Sequence, residues 1–583
     1  MSQTSDGSTA TTRTRSTSRR GSFIIITIIF PIAFLILIEC VLRLSHFGPD
    51  LSLFTTVTIA GKTFRVMNPG VKNRYFSQVW FNPATSADLF EVPKPAGTYR
   101  IFCLGGSTTV GYPYWYNGAF PSFLRSRLSE IFPHRSIEVI NVGMTATNSF
   151  TVLDMASDIM NEQPDLLIVY DGHNEFYGAL GVASRDAWGG ARWMTRLALR
   201  LIHLKTAYLL RDIIVLVRDL FGHSNESPQG TMMERLAHGR FVPYGSDLYR
   251  KALEDFSGNM EELKRLCTEK NTPLIFSTQV SNLRDLAPFV SRAMPGGTPE
   301  KEAAFNALMN DALAAAMNGL GDSAKSLYRQ AEVLDPFRAE TRYNFALCLD
   351  GLDEKAEAKA EFIRARDYDQ LRFRASSDFN NAIRSTADGR TTFLVDIEKT
   401  FMGASPDSLV GTGLLFEHVH PRSAGAFLMA KCYVTALRDY SLFATPAEWR
   451  AADTIADASL WKDRPVSDLD EAIARRRTDI LLSGWPFQPI DRPPRPVPAA
   501  DYLAAIADSV VFGELGWDEG HRRVAEHDES TGDTVNAMTE YRILLRQLLL
   551  FTGEPGLAGL KGDESLSAVI EKYIKLRSDH SSH

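Results

Sequence analysis

The stretch Tyr99-Arg100-Ile101-Phe102-Cys103-Leu104-Gly105-Gly106-Ser107-Thr108-Thr109 decides how this chain is read. An apolar run without polar alternation is the pattern of a strand buried on both faces. Two glycines end the run, and Ser-Thr-Thr then suits the start of a helix. A serine placed so stands exposed just past the carboxyl end of a strand. Working outward, Ile137–Val142 is a second predicted strand, ending at Gly143, and residues 165–170 are a third, ending at Asp171-Gly172. Pro273–Val280 and Thr391–Ile397 are a fourth and a fifth. Helical periodicity falls on Gly118–Phe132, Asn148–Asn161 and Ala424–Ala436. Alternating strands and helices predict an α/β fold built on a doubly wound parallel sheet, with helices on both faces. Sites in such sheets lie off the carboxyl ends of the strands. Ser107, Gly143 and Asn174 follow the first three strands in that position.

With 583 residues the chain is long enough for several domains. Hydrophobic residues make up 44% and charged residues 23%, an ordinary globular balance. The net charge of −7 gives no basic footprint for nucleic acid. Cys40, Cys103, Cys267, Cys348 and Cys432 are widely spaced, without the pairing of a metal site or a dense disulfide framework. One or two disulfides would be compatible with a location outside the cytoplasm.

Residues 1–22 are rich in Ser, Thr and Arg and read as a disordered tail. Phe23 to Leu42 is almost entirely apolar, and about 20 residues at 1.5 Å each span a bilayer core. Arg13, Arg15, Arg19 and Arg20 precede it, which puts the tail in the cytoplasm and the rest outside. No small-residue cleavage site is visible, so 23–44 reads as a transmembrane signal anchor rather than a removed signal peptide. The expected location is the bacterial inner membrane, single-pass, with the bulk of the chain periplasmic. Glu39 and Arg43, four apart, are placed to pair near the outer interface.

Between the fourth and fifth strands, Ala312, Gly319, Ala324, Tyr328, Ala331 and Pro336 are spaced as in a tetratricopeptide repeat. A shift of 34 residues gives Ala346, Asp353, Ala358, Phe362, Ala365 and Gln370. A weaker match is Ala525, Gly532, Ala537 and Tyr541. The expected domains are therefore a discontinuous α/β domain over 97–300 and 371–440, a helical insertion over 301–370 and a mainly helical region over 441–583. Protein partners are expected on the repeat-like helices. Arg192, Arg196 and Arg200 form an i, i+4 basic stripe beside Trp193, Leu197, Leu201 and Leu204. That helix would rest on an anionic membrane surface, cover the site, or pack on its own domain, the last being the plainest expectation.

A serine hydroxyl needs a base to take its proton. Glu417-His418-Val419-His420-Pro421 supplies one, His420, with Glu417 three residues before it to orient the ring. Candidate oxyanion donors are the backbone N–H groups of Ser107 and Gly143 and the side-chain amide of Asn174. His173 is expected to shape the pocket and His418 to point elsewhere in its loop. No metal or cofactor is needed by this set.

These four blocks, in this order, resemble the SGNH (GDSL-type) hydrolase superfamily: Gly105-Gly106-Ser107, Asn141-Val142-Gly143, Gly172-His173-Asn174-Glu175 and Glu417-His418-Val419-His420. The chain is more closely similar to a bacterial, membrane-anchored group carrying tetratricopeptide repeats, through Gly111-Tyr112-Pro113-Tyr114, Gly118-Ala119-Phe120-Pro121 and Asn174-Glu175-Phe176-Tyr177-Gly178. The resemblance implies a flavodoxin-like three-layer sandwich and a serine esterase acting on an ester, such as an O-acyl group of an envelope glycan or a lipid. Two departures stand out: Gly-Gly-Ser replaces Gly-Asp-Ser, and Glu417 replaces the Asp of Asp-x-x-His. The alternatives are an O-acyltransferase of an envelope polysaccharide and a catalytically idle scaffold of the envelope.

Overall fold

The computed structural model describes residues 27, 29–59, 61–77, 82–115, 117–184, 190–221, 232–237, 239–293, 297–488, 492–498 and 500–552. The expected tail 1–22, the start of the expected membrane span and residues 553–583 lie outside the described residues.

Among the described residues eight strands form two sheets: β1 (Phe54–Ile59), β2 (Lys62–Met67), β3 (Leu89–Glu91), β4 (Tyr99–Gly105), β5 (Ile137–Asn141), β6 (Leu166–Tyr170), β7 (Leu274–Ser277) and β8 (Thr392–Val395). The larger sheet is parallel, in the order β5-β4-β6-β7-β8. Register pairs Cys103 with Asn141 on one side and Ile168 on the other. Strand order reverses at β4, whose neighbours are β5 and β6, and the crevice at such a switch point is where doubly wound sheets hold their ligands. Ser107 stands there.

The period of two divides β4 between two cores. Ile101 and Cys103 face the helices Phe120–Ile131 and Ser423–Asp439, while Phe102 and Leu104 face Ser149–Ile159, Asp247–Glu269 and Ser377–Thr386. The five strands and three helices foreseen from the apolar runs occur within a few residues of their expected ends.

Residues 45–96, read only as a connection, contain the second sheet. It is antiparallel, in the order β1-β2-β3, and seats Phe90 edge-on to Phe102 at 5.3 Å. Between β7 and the helix Ser377–Thr386 that precedes β8 run Pro299–Met317, Gly321–Leu334, Ala339–Gly351 and Lys355–Tyr368. Ala312, Ala324, Tyr328, Ala331, Ala346, Ala358 and Phe362 share their buried seam, the small residues allowing close approach and the rings filling the gaps. Ala525, Ala537 and Tyr541 meet in another small core of the C-terminal helices.

Among the described residues no helix is long and apolar enough to cross a membrane. The described part of the expected span is the helix Phe30–Leu44, none of whose residues is buried. The five cysteines are all free. The arginine stripe does not face outward as a unit. Arg192 donates to Glu262 at 2.8 Å and Arg196 at 3.1 Å, so these two cations are pinned to the helix Asp247–Glu269.

Candidate active site

Two glycines explain how Ser107 is presented. Gly105 ends β4 against β6, and a Cβ there would lie 2.1 Å from the Tyr170 carbonyl oxygen. A Cβ on Gly106 would lie 2.9 Å from Asn174 Nδ2, so the missing side chain makes room for that amide beside the serine. Ser107 opens the short helix Ser107–Val110, whose first N–H groups have no intrahelical partner.

The candidate base, His420, comes from the loop before the helix Ser423–Asp439. Phe416 N–H donates to the His420 carbonyl at 2.9 Å and Asn282 N–H to the His418 carbonyl at 2.9 Å, which hold the loop over the sheet edge. His420 Nε2 lies 2.7 Å from Ser107 Oγ. On the other side of the ring, Nδ1 meets Glu417 Oε1. The same oxygen accepts from His420 N–H at 3.1 Å. Glutamate thus reaches the ring three residues on despite its extra methylene, because the carboxylate folds back on to its own loop. With Nδ1–H donating to Glu417, Nε2 carries the lone pair that accepts the Ser107 proton.

His418 does not point elsewhere. Its Nδ1 meets Glu417 Oε2, which also accepts from His418 N–H at 2.6 Å. One carboxylate therefore carries two imidazoles, one on each oxygen. The second ring is walled by Phe289 and Phe487, at 5.9 and 5.7 Å. Glu417, His418 and His420 also bring their donor atoms within 4.8 Å of one another, the grouping a cation would need. Both Nδ1 atoms are turned on to the carboxylate itself, which is the geometry of a hydrogen-bonded relay rather than a shared coordination point.

Burial pushes the His420 imidazole down from its usual value. His418 is pushed down by burial and by the neighbouring His420. His173, whose Nδ1 accepts from Ala375 N–H at 3.1 Å, is pushed down to about 3, chiefly by burial. Burial favours the neutral form of all three rings, the form in which a base can accept a proton.

Of the three N–H groups expected as oxyanion donors, one is engaged elsewhere. Gly143 N–H is taken: it donates to Asn141 Oδ1 at 2.9 Å. What the glycine permits is close packing, since a Cβ there would lie 2.5 Å from Val110 N. Three residues on, Ala146 is held at φ +58°, with its carbonyl accepting from Ala179 N–H at 2.8 Å. The Ala146 N–H has no hydrogen-bond partner among the described residues. The same holds for the Ser107 N–H and for Asn174 Nδ2. Ala146 O and Asn174 Cβ both lie against Gly178, which places the two residues together. A left-handed residue of ordinary type has no signature in a sequence, so nothing but the backbone could have found it.

Glu175 ties this wall down, accepting from Ser149 N–H at 2.9 Å and Ser149 Oγ–H at 2.7 Å. Tyr112 packs edge-on to the His420 ring at 4.7 Å. Behind it, Arg477 of the C-terminal region donates to the carbonyls of Pro113 at 2.7 Å and Tyr114 at 3.0 Å. So part of 441–583, silent in the sequence, braces the segment that packs on the base. A cavity of about 310 Å³ opens beside it, bounded by Thr85, Ser86, Val110, Trp115 and Arg477 among others.

No family model matches the chain, and no curated protein matches it. Solved structures do. An acetyl xylan esterase is 11% identical, with 58% of this chain and 99% of that one covered at a TM-score of 0.27. An acetylxylan esterase from Geobacillus stearothermophilus is 10% identical, with 59% and 94% covered at 0.27. A gut microbial diltiazem-metabolizing enzyme is 13% identical, with 59% and 48% covered at 0.22.

Proposed function

We propose that the chain is a serine esterase, with Ser107 as nucleophile, His420 as general base and acid, and Glu417 as the group that orients His420. The observation that carries this is the continuous relay from Ser107 Oγ through the two nitrogens of His420 to a buried carboxylate, with a 2.7 Å first link. As Oγ attacks an ester carbonyl, its proton passes to Nε2, and Glu417 stabilises the imidazolium that forms. Oxyanion charge falls among the Ser107 N–H, the Ala146 N–H and the Asn174 amide. His420 then returns the proton to the departing alkoxide, leaving an acyl group on Ser107. Water as acceptor makes the protein an esterase, and a sugar hydroxyl makes it an O-acyltransferase. The reach of Glu417 to His420 supports a working site over an idle scaffold.

The proposed setting is the outer face of a bacterial inner membrane, held by the apolar segment that includes Phe30–Leu44. In that setting O-acyl groups of envelope glycans or lipid esters are the substrates within reach, and partners would dock on the helices of 301–370.

A fluorophosphonate probe added to the full chain is expected to label the native protein and not Ser107→Ala, read by gel fluorescence and peptide mass. Equal labelling of the two would remove Ser107 as nucleophile. Asn174→Ala is expected to lower kcat for p-nitrophenyl acetate by about 10²–10³, the cost of one preorganised oxyanion donor, with KM little changed. A change confined to KM would make Asn174 a binding group instead.

A further inference from the structure

The hairpin that follows the Asn174 loop is built inside out. In water an amphipathic helix turns its apolar side to the domain and its charges to solvent. The helix Arg192–Leu201 does the reverse. Arg192 reaches Asn259 at 3.0 Å and Glu262 at 2.8 Å, and Arg196 reaches Glu262 at 3.1 Å, all on the domain side. Trp193, Leu197 and Leu201 are left outward, with Trp193 64% exposed. Its partner helix, Lys205–Phe221, repeats the inversion: Arg211 is buried, its guanidinium 4.3 Å from the centre of the Tyr208 ring. Ile214, outward, is 54% exposed. Contiguous apolar surface of this kind marks an interaction site.

A second element fixes what covers it. The exposed apolar helix Phe30–Leu44 is clamped to the turn of this hairpin. Glu39, the one carboxylate of that helix, accepts from Lys205 N–H at 3.0 Å and Thr206 N–H at 2.8 Å, capping the first turn of Lys205–Phe221. Arg43 completes the clamp, donating to Glu39 at 2.7 Å and to the His203 carbonyl at 3.3 Å. The outward face of the hairpin therefore runs on from a helix with no buried residue. A second protein copy covers one face of such a helix, whereas a lipid phase covers all of it.

We propose that the hairpin Arg192–Phe221 lies in the membrane interface beside the N-terminal apolar helix, its outward apolar face among the lipid chains and Arg192, Arg196 and Arg211 turned back to the domain. This rests on the membrane-anchored reading above. It fixes the tilt of the domain on the bilayer, which a single apolar helix alone would leave free to swing. Because Arg192 and Arg196 are spent on Glu262 and Asn259, the contact is chiefly apolar rather than owed to anionic lipid.

The test uses the full chain reconstituted in phosphatidylcholine vesicles with and without brominated acyl chains. Flotation with the vesicles reports the anchor, and bromine quenching of tryptophan emission reports the hairpin. Trp193 is one of eight tryptophans, so the native chain should lose a part of its emission to brominated lipid that Trp193→Phe does not lose. Ile214→Trp should add a further quenched part. Equal quenching of native chain and Trp193→Phe, with none added by Ile214→Trp, overturns the inference while flotation leaves the anchor standing. A chain that does not float overturns both.

Discussion

His420→Ala is expected to lower kcat toward p-nitrophenyl acetate by about 10⁴–10⁶, the loss seen when one member of a serine triad is removed, with the remaining rate owed to the oxyanion donors and binding. The ring is buried between Ser107 and Tyr112, so His420→Gln, closer in volume, is the companion variant, and unchanged thermal unfolding guards against a folding defect. A loss under tenfold in both would remove His420 as the base. The pH profile carries an independent sign. A base works above its pKa, and burial lowers that of His420 below 6.5. The acid limb of kcat/KM should therefore lie below pH 6.5 in the native protein. Stability runs the same way. His173, His418 and His420 are held neutral when folded, whereas in the unfolded chain they take up protons near pH 6.5. The unfolding midpoint should fall as pH drops through that value, because the unfolded state then binds more protons than the folded one.

What was legible in the sequence follows from which forces act locally. The five parallel strands are buried on both faces, so their apolar runs stand out without any partner in view. Ser107 could be placed because glycines, here Gly105 and Gly106, end the strand. The strand β1 hid in a Thr-rich stretch with no fully buried residue. Gly143 shows how a correct local reading yields a wrong role. It does mark close approach, but to Val110, and its own N–H is consumed by Asn141. The donor proposed in its stead depends on the φ of Ala146, a property of tertiary context rather than of residue type. The Arg192 stripe was likewise visible as a pattern while its direction was not, since Glu262 lies far along the chain. The brace from Arg477 to the Tyr112 segment spans still more sequence and has no periodicity to betray it.

Glu417→Gln tests whether the glutamate does the work of the usual aspartate. The carboxylate accepts four times: from His418 N–H and His420 N–H, and from the two Nδ1 atoms. A carboxamide offers one oxygen and one NH₂. Turned toward His420, its oxygen keeps that ring's tautomer but sets NH₂ against the His418 donors. Turned the other way, NH₂ faces His420 Nδ1 and forces the proton on to Nε2, where it blocks acceptance from Ser107. The first arrangement strands buried donors at about 1–3 kcal/mol each, and both remove the negative charge that stabilises the imidazolium. The expected fall in kcat is about 10⁴, the size associated with a neutralised triad acid, with KM close to native. The acid limb should shift to lower pH, because an imidazolium without its counter-charge gives up its proton more readily. Glu417→Asp keeps the charge but is shorter by one methylene. It should recover part of the rate if the loop can close on His420. If Glu417→Gln instead stays within threefold of native kcat, the chemistry runs on the Ser107–His420 pair alone. Glu417 would then serve to hold its loop shut across two histidines.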